Sequence, residues 1–146
     1  MNRLYEINKI YNAANLGLYE DAAFYYFLSV AFATRKAGAN AQSLDTLDAA
    51  IRYALLAATS GKEDEKNLYF RRAVEEWREV AKKRTVGLDN YFVAAASVLG
   101  IIQWSIFKKV KVDVKNFSSL MRRARREFYE FCDCLDGNFD KIYRIS

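Results

Sequence analysis

Apolar residues recur at helical spacing through almost the whole of this 146-residue chain. Leu4, Ile7, Tyr11, Ala14 and Leu18 step by three and four, which predicts a first helix over about 2–16. A second, over about 19–37, opens on Glu20 and Asp21 and closes on Arg35 and Lys36, a polarity that suits the helix dipole. Its middle, AAFYYFLSVAFA, is apolar on most of its circumference and predicts deep packing. Leu44, Leu47, Ile51, Leu55 and Ala58 stripe a third helix, about 44–60, with Ser43 as its N-cap and Ala39–Gln42 as the linker before it. The fourth, about 63–84, is charged and one-sided, with a narrow seam of Phe70, Ala73, Trp77 and Val80, and is expected to lie at the periphery.

Tyr91–Phe107 breaks this amphipathic pattern. YFVAAASVLGIIQWSIF is apolar on every side of a helix, interrupted only by Ser97, Gly100, Gln103 and Ser105. It therefore has no solvent face, and the amphipathic helices around it supply the faces to cover it. The expected fold is all-α, a bundle of five to six helices around this central helix at about 91–107, in a single domain spanning 1–146. Asp89 or Asn90 is its expected cap. Its 17 residues also meet the lower limit for a membrane span, at about 17–25 residues, which leaves a small membrane-associated protein as a third functional alternative. A buried axis fits the flanking pattern better, and a membrane partner is not the expectation. On that reading Trp104→Ala costs about 3–5 kcal/mol.

Glycine supplies the punctuation. Gly17, Gly38, Gly61, Gly87 and Gly137 each follow a helical run, as left-handed C-terminal caps do, whereas Gly100 lies inside a run and marks a close helix crossing. KKVKVDVK at 108–115 alternates and reads as an extended connection. A sixth helix starts at Asn116 or Ser118 and ends near Asp136-Gly137. Phe117, Met121, Ala124, Phe128, Phe131 and Leu135 form its seam at heptad spacing. Phe117, Met121, Phe128 and Phe131 are the candidate interface residues, within the bundle or across a dimer. Phe139, Ile142, Tyr143 and Ile145 suggest that the tail docks. The segment LGLYEDAA at 16–23, followed by Tyr26, resembles the turn and second-helix start of a tetratricopeptide repeat, over about ten residues and with no second copy.

Composition narrows the chemistry. The chain has no proline, which favours long helices, and no histidine, which removes imidazole-based acid–base catalysis, Ser-His and Cys-His pairs and imidazole metal ligands. Cys132 and Cys134 are two apart, so on a helix they point about 200° from each other and do not bridge. Two thiols alone make no zinc site. Reduced cysteines and a polar, amphipathic N-terminus suggest a cytoplasmic protein. Glu75, Glu76 and Glu79 interleave with Arg71, Arg72, Arg78 and Lys82 at salt-bridge spacing. SGKEDEK at 60–66 lacks the elements of a phosphate-binding loop. No enzyme activity, cofactor or metal is expected.

The net charge of +5 is concentrated: residues 108–126 alone carry eight Lys or Arg against one Asp. Lys108, Lys109, Lys111 and Lys115 lead into Arg122, Arg123 and Arg126, which share the outer face of the sixth helix, while Arg125 flanks its seam. Such a patch suits nucleic-acid backbone, DNA or RNA, without sequence preference. Tyr129 could stack on a base, although Glu127, Glu130 and Asp133 beside it would repel phosphate. The alternative is a solvated face whose arginines pair with Glu127 and Glu130. By size, helicity and charge the chain is similar to small helical subunits of nucleic-acid assemblies. The runner-up is a helical protein–protein adaptor or oligomerisation module, with a protein partner or a second copy as its ligand.

Overall fold

The computed structural model describes residues 3–14, 16–83, 87–107 and 117–135. Among these it contains six helices and no strand: α1 (Arg3–Ala14), α2 (Leu18–Lys36), α3 (Ala41–Thr59), α4 (Glu63–Lys83), α5 (Asp89–Phe107) and α6 (Phe117–Leu135). The expected connection at 108–115, the start of the sixth helix at Asn116, the Gly137 cap and the docked tail lie outside the described residues.

The helices begin and end where local chemistry allows. Asn40, not Ser43, caps α3: its side-chain oxygen accepts the Ser43 N–H at 3.0 Å, so the helix starts at Ala41. Ser43 therefore supplies the donor that the cap satisfies. Gly38 and Gly87 take φ of +83° and +89°, the left-handed conformation expected of them. Gly17 does not: at φ −76° it is extended and precedes α2 as its N-cap. Gly61 is likewise not among the glycines with positive φ.

α5 is the axis. It is in contact with α2, α3, α4 and α6. Every residue from Ala94 to Trp104 is buried, Gln103 and Ser97 included. α5 is long and apolar enough to cross a membrane, but most of it is buried inside the fold. Large side chains such as Tyr91, Leu99 and Ile102 are under 2% exposed. Burial of this kind is worth roughly 1.5–3 kcal/mol per large apolar side chain.

The coat differs from expectation in three places. α1 packs chiefly on α3 and stacks Tyr11 on Phe24 of α2 at 4.0 Å, so the close cover of α5 comes from four helices. α2 buries only part of its apolar circumference. Ala23, Phe24, Phe27 and Ala31 face inward, while Tyr25 and Phe32 are 64% and 57% exposed. On α6 the fully buried row is Leu120, Ala124, Phe128 and Cys132, at steps of four. Phe117, Met121 and Phe131 of the predicted heptad seam are half-buried. The reason is the crossing at Gly100. A Cβ there would come within 2.3 Å of the Ala124 carbonyl oxygen, so the α6 backbone rests directly on α5. Rows spaced by four are those that interdigitate when helices cross obliquely.

Candidate functional site

α6 presents its cations on the side away from that crossing. Arg122 and Arg126 are exposed. Arg122 donates to Ser119 Oγ at 3.5 Å, one turn back. Among the described residues neither Arg122 nor Arg126 forms an ion pair. Of the alternative, a solvated face whose arginines pair with Glu127 and Glu130, the described residues show Arg123, with its Nε 3.8 Å from Glu127. Arg123 also spreads over the indole of buried Trp104, 5.4 Å from the ring, an arrangement favoured by the ring quadrupole. Arg125 turns to the α5 side and donates to Ser97 Oγ at 3.2 Å. The four arginines thus divide into two anchors, Arg123 and Arg125, which fix α6 against α5, and two exposed side chains, Arg122 and Arg126.

α6, like α3, departs from the charge order of α2 and α4. α2 and α4 place acids in their first turn, as the helix dipole prefers. α6 has no acid in its first turn and no base in its last. Its arginines begin at the sixth residue of the helix, beyond the first turn in which the dipole acts, so the field that favours an anion there comes from the guanidinium groups themselves. Lys108, Lys109, Lys111 and Lys115 lie outside the described residues. Of the candidate interface residues, Phe128 is fully buried and edge-on to Trp77 of α4 at 5.0 Å. Phe131 meets Phe70 at 6.0 Å. Phe117 and Phe131 pack against the core within this chain, and Met121 is half-buried.

A second polar cluster escaped the sequence reading. Asp48 of α3 is 1% exposed, in the interior. Arg35 of α2 donates through Nη2 to one of its oxygens, and the Tyr91 hydroxyl of α5 donates to the other. Arg35 Nη1 also reaches the Tyr91 oxygen at 3.2 Å and the Ala31 carbonyl at 3.3 Å. Burial pushes the Tyr91 hydroxyl well above the usual tyrosine range, and the charge of Asp48 and the hydrogen bond to it add to this, against a smaller lowering by Arg35. Burial works to lower the Arg35 value, but Tyr91, Asp48 and Asp45 outweigh it and hold the guanidinium above its ordinary value. The cluster joins α2, α3 and α5 at one end of the axis and keeps a buried carboxylate fully paired. Its sequence signal was Asp48 itself, one turn after Leu44 and between Leu47 and Ile51 on an otherwise apolar stripe.

Other carboxylates serve the surface. Glu76 pairs with Arg72 at 3.2 Å and Glu79 with Lys82 at 3.3 Å on the outer face of α4. Cys132 is buried and Cys134 exposed, and they form no disulfide with each other. Among the described residues no group of three Cys, Asp or Glu side chains is placed to hold a metal ion. Compared with known proteins, the chain matches no family model, no curated protein and no solved structure.

Proposed function

We propose that this protein is a non-enzymatic helical subunit that contacts nucleic-acid backbone through the basic face of α6 and the lysines that precede it. The observation that carries this reading is the pair Arg122 and Arg126. Both are exposed on the N-terminal half of α6, without a carboxylate partner among the described residues, on a helix held rigidly by Arg123, Arg125 and the Gly100 crossing. Guanidinium groups presented in this way bind phosphate oxygens in a charge-assisted, often bidentate geometry. Contact with phosphate fixes position and carries no sequence information, so DNA and RNA of any sequence are suitable ligands.

The test is direct titration of a labelled mixed-sequence oligonucleotide at several salt concentrations. Binding is expected to weaken steeply with salt, with a log–log slope of about −0.7 to −0.9 per phosphate engaged. Joint replacement of Arg122 and Arg126 by Glu should abolish it. Unchanged binding by that variant, or no binding by the native chain at low salt, overturns the reading. A second reading, a protein–protein module, is favoured by Tyr25 and Phe32. They lie one heptad apart on the outer side of α2 and are more than half exposed.

A further inference from the structure

Between α4 and α6 lies a surface cleft of about 370 Å³, lined by Trp77, Arg78 and Lys82 from α4 and by Tyr129, Cys132 and Asp133 from α6. Its inner wall is aromatic: the Trp77 and Tyr129 rings are tilted at 35° with centroids 5.7 Å apart. Trp77 is locked in place, stacked on Phe92 at 4.3 Å and donating its N–H to the Phe92 carbonyl. Tyr129 is half-exposed and forms the accessible part of that wall.

The cleft is continuous with the basic face. Arg122, Arg126 and Tyr129 follow one another at steps of four and three, so they share one stripe of α6. At ~1.5 Å of rise per residue, Tyr129 lies about 4.5 Å beyond Arg126 along the helix axis. Arg78 and Lys82 line the opposite wall, the charge of Lys82 being partly offset by its pair with Glu79. Asp133, also on the lining, disfavours a phosphate inside the cleft while remaining a suitable acceptor for the amino group of a base. The Glu127 carboxylate lies 3.8 Å from Arg123 Nε, beyond hydrogen-bond distance, so that pair offsets only part of its charge.

Resting on the nucleic-acid reading above, we infer that the ligand is single-stranded: one nucleobase seats in the α4–α6 cleft against Tyr129 while Arg122 and Arg126 hold the flanking phosphates. A positively charged track with an aromatic platform is the usual means of binding single strands, because every base offers a π-face whatever its identity. A duplex keeps its bases stacked and offers none to the cleft.

The experiment uses the full chain and three labelled probes of equal length: a mixed-sequence single strand, an abasic phosphodiester strand, and a duplex. Fluorescence anisotropy at low salt is expected to show the single strand binding at least about fivefold more tightly than the abasic strand. The duplex should bind no better than the abasic strand. Tyr129→Ala should remove the advantage of the single strand while leaving abasic binding unchanged, and Tyr129→Phe should retain it. Equal affinity for single and abasic strands, or a preference for duplex, overturns the cleft assignment and leaves the backbone reading intact. No binding to any probe overturns both. The probe comparison on the native chain decides the matter even if Tyr129→Ala fails to fold, which circular dichroism would show.

Discussion

The buried Asp48 is a residue whose replacement carries a large consequence. Its carboxylate is buried and both oxygens are held, so removing either side of the pairing leaves a charged group without its partner. Asp48→Ala is expected to lower stability by about 3–5 kcal/mol, measured by chemical denaturation. Tyr91→Phe removes the donor to Asp48 and the acceptor of Arg35 Nη1, and should cost about 1–3 kcal/mol. The raised Tyr91 value adds a pH signature. In the unfolded chain the phenol ionises near pH ~10, whereas in the folded chain it stays protonated well above that. Its contribution is therefore intact below about pH 10 and is lost as pH rises beyond it. The stability difference between the native chain and Tyr91→Phe should be flat up to about pH 10 and narrow above it. A difference that stays constant there would mean that Tyr91 ionises alike in both states.

At the scale of the element, α5 and α6 meet through backbone. Glycine inside a helix is ordinarily unfavourable by about 1 kcal/mol relative to alanine, so Gly→Ala usually stabilises a helix. At Gly100 the sign should invert. The added methyl would lie 2.3 Å from the Ala124 carbonyl oxygen, a backbone atom that can yield only if the helices separate. Gly100→Ala is expected to destabilise by about 1–3 kcal/mol, the usual cost of overpacking, read as a lowered midpoint in thermal melts. The same separation would displace Arg125 from Ser97 and Arg123 from Trp104, which couples this crossing to the orientation of the basic face. An α6 register set by the Gly100–Ala124 contact also explains why its buried row runs in fours. The heptad spacing of Phe117, Met121, Ala124, Phe128 and Phe131 was visible in the sequence. The side of α6 that approaches α5 most closely depended on where a missing side chain left room.

For the whole molecule the open question is the apolar side of α2. Tyr25 and Phe32 are exposed although the sequence around them reads as core, because α2 packs its inner face on α5 and α1 touches the Tyr25 ring edge-on through Tyr11 at 6.4 Å without covering it. Isolated exposed aromatics are ordinary, but two on one helical stripe offer a surface for a second copy or another protein. If that surface is used between copies, the native chain should show a mass that rises with concentration in light scattering and is insensitive to salt. Replacing Tyr25 and Phe32 by Ser should return it to the monomer mass. A monomer at all concentrations would remove self-association through α2.

The helices and their faces were legible because hydrophobic periodicity is a local property: the stripes of α1, α3 and α4 and the uniformly apolar α5 follow from residues three and four apart. The concentration of charge before and within α6 was equally plain. The pairing of that charge was not. Helical spacing sets Arg125 beside the seam and Arg122, Arg123 and Arg126 on the outer face, but their partners are tertiary: the packing of α6 on α5 brings Arg125 to Ser97 and lays Arg123 on Trp104, while Arg122 and Arg126 stay exposed. Asp48, Arg35 and Tyr91 stand on three different helices, and the cleft is walled by residues some fifty positions apart. Periodicity fixes which face of a helix is buried. Only packing settles which helix covers it and which polar groups meet there, because those contacts join positions far apart in the chain and depend on the volume of every side chain between them.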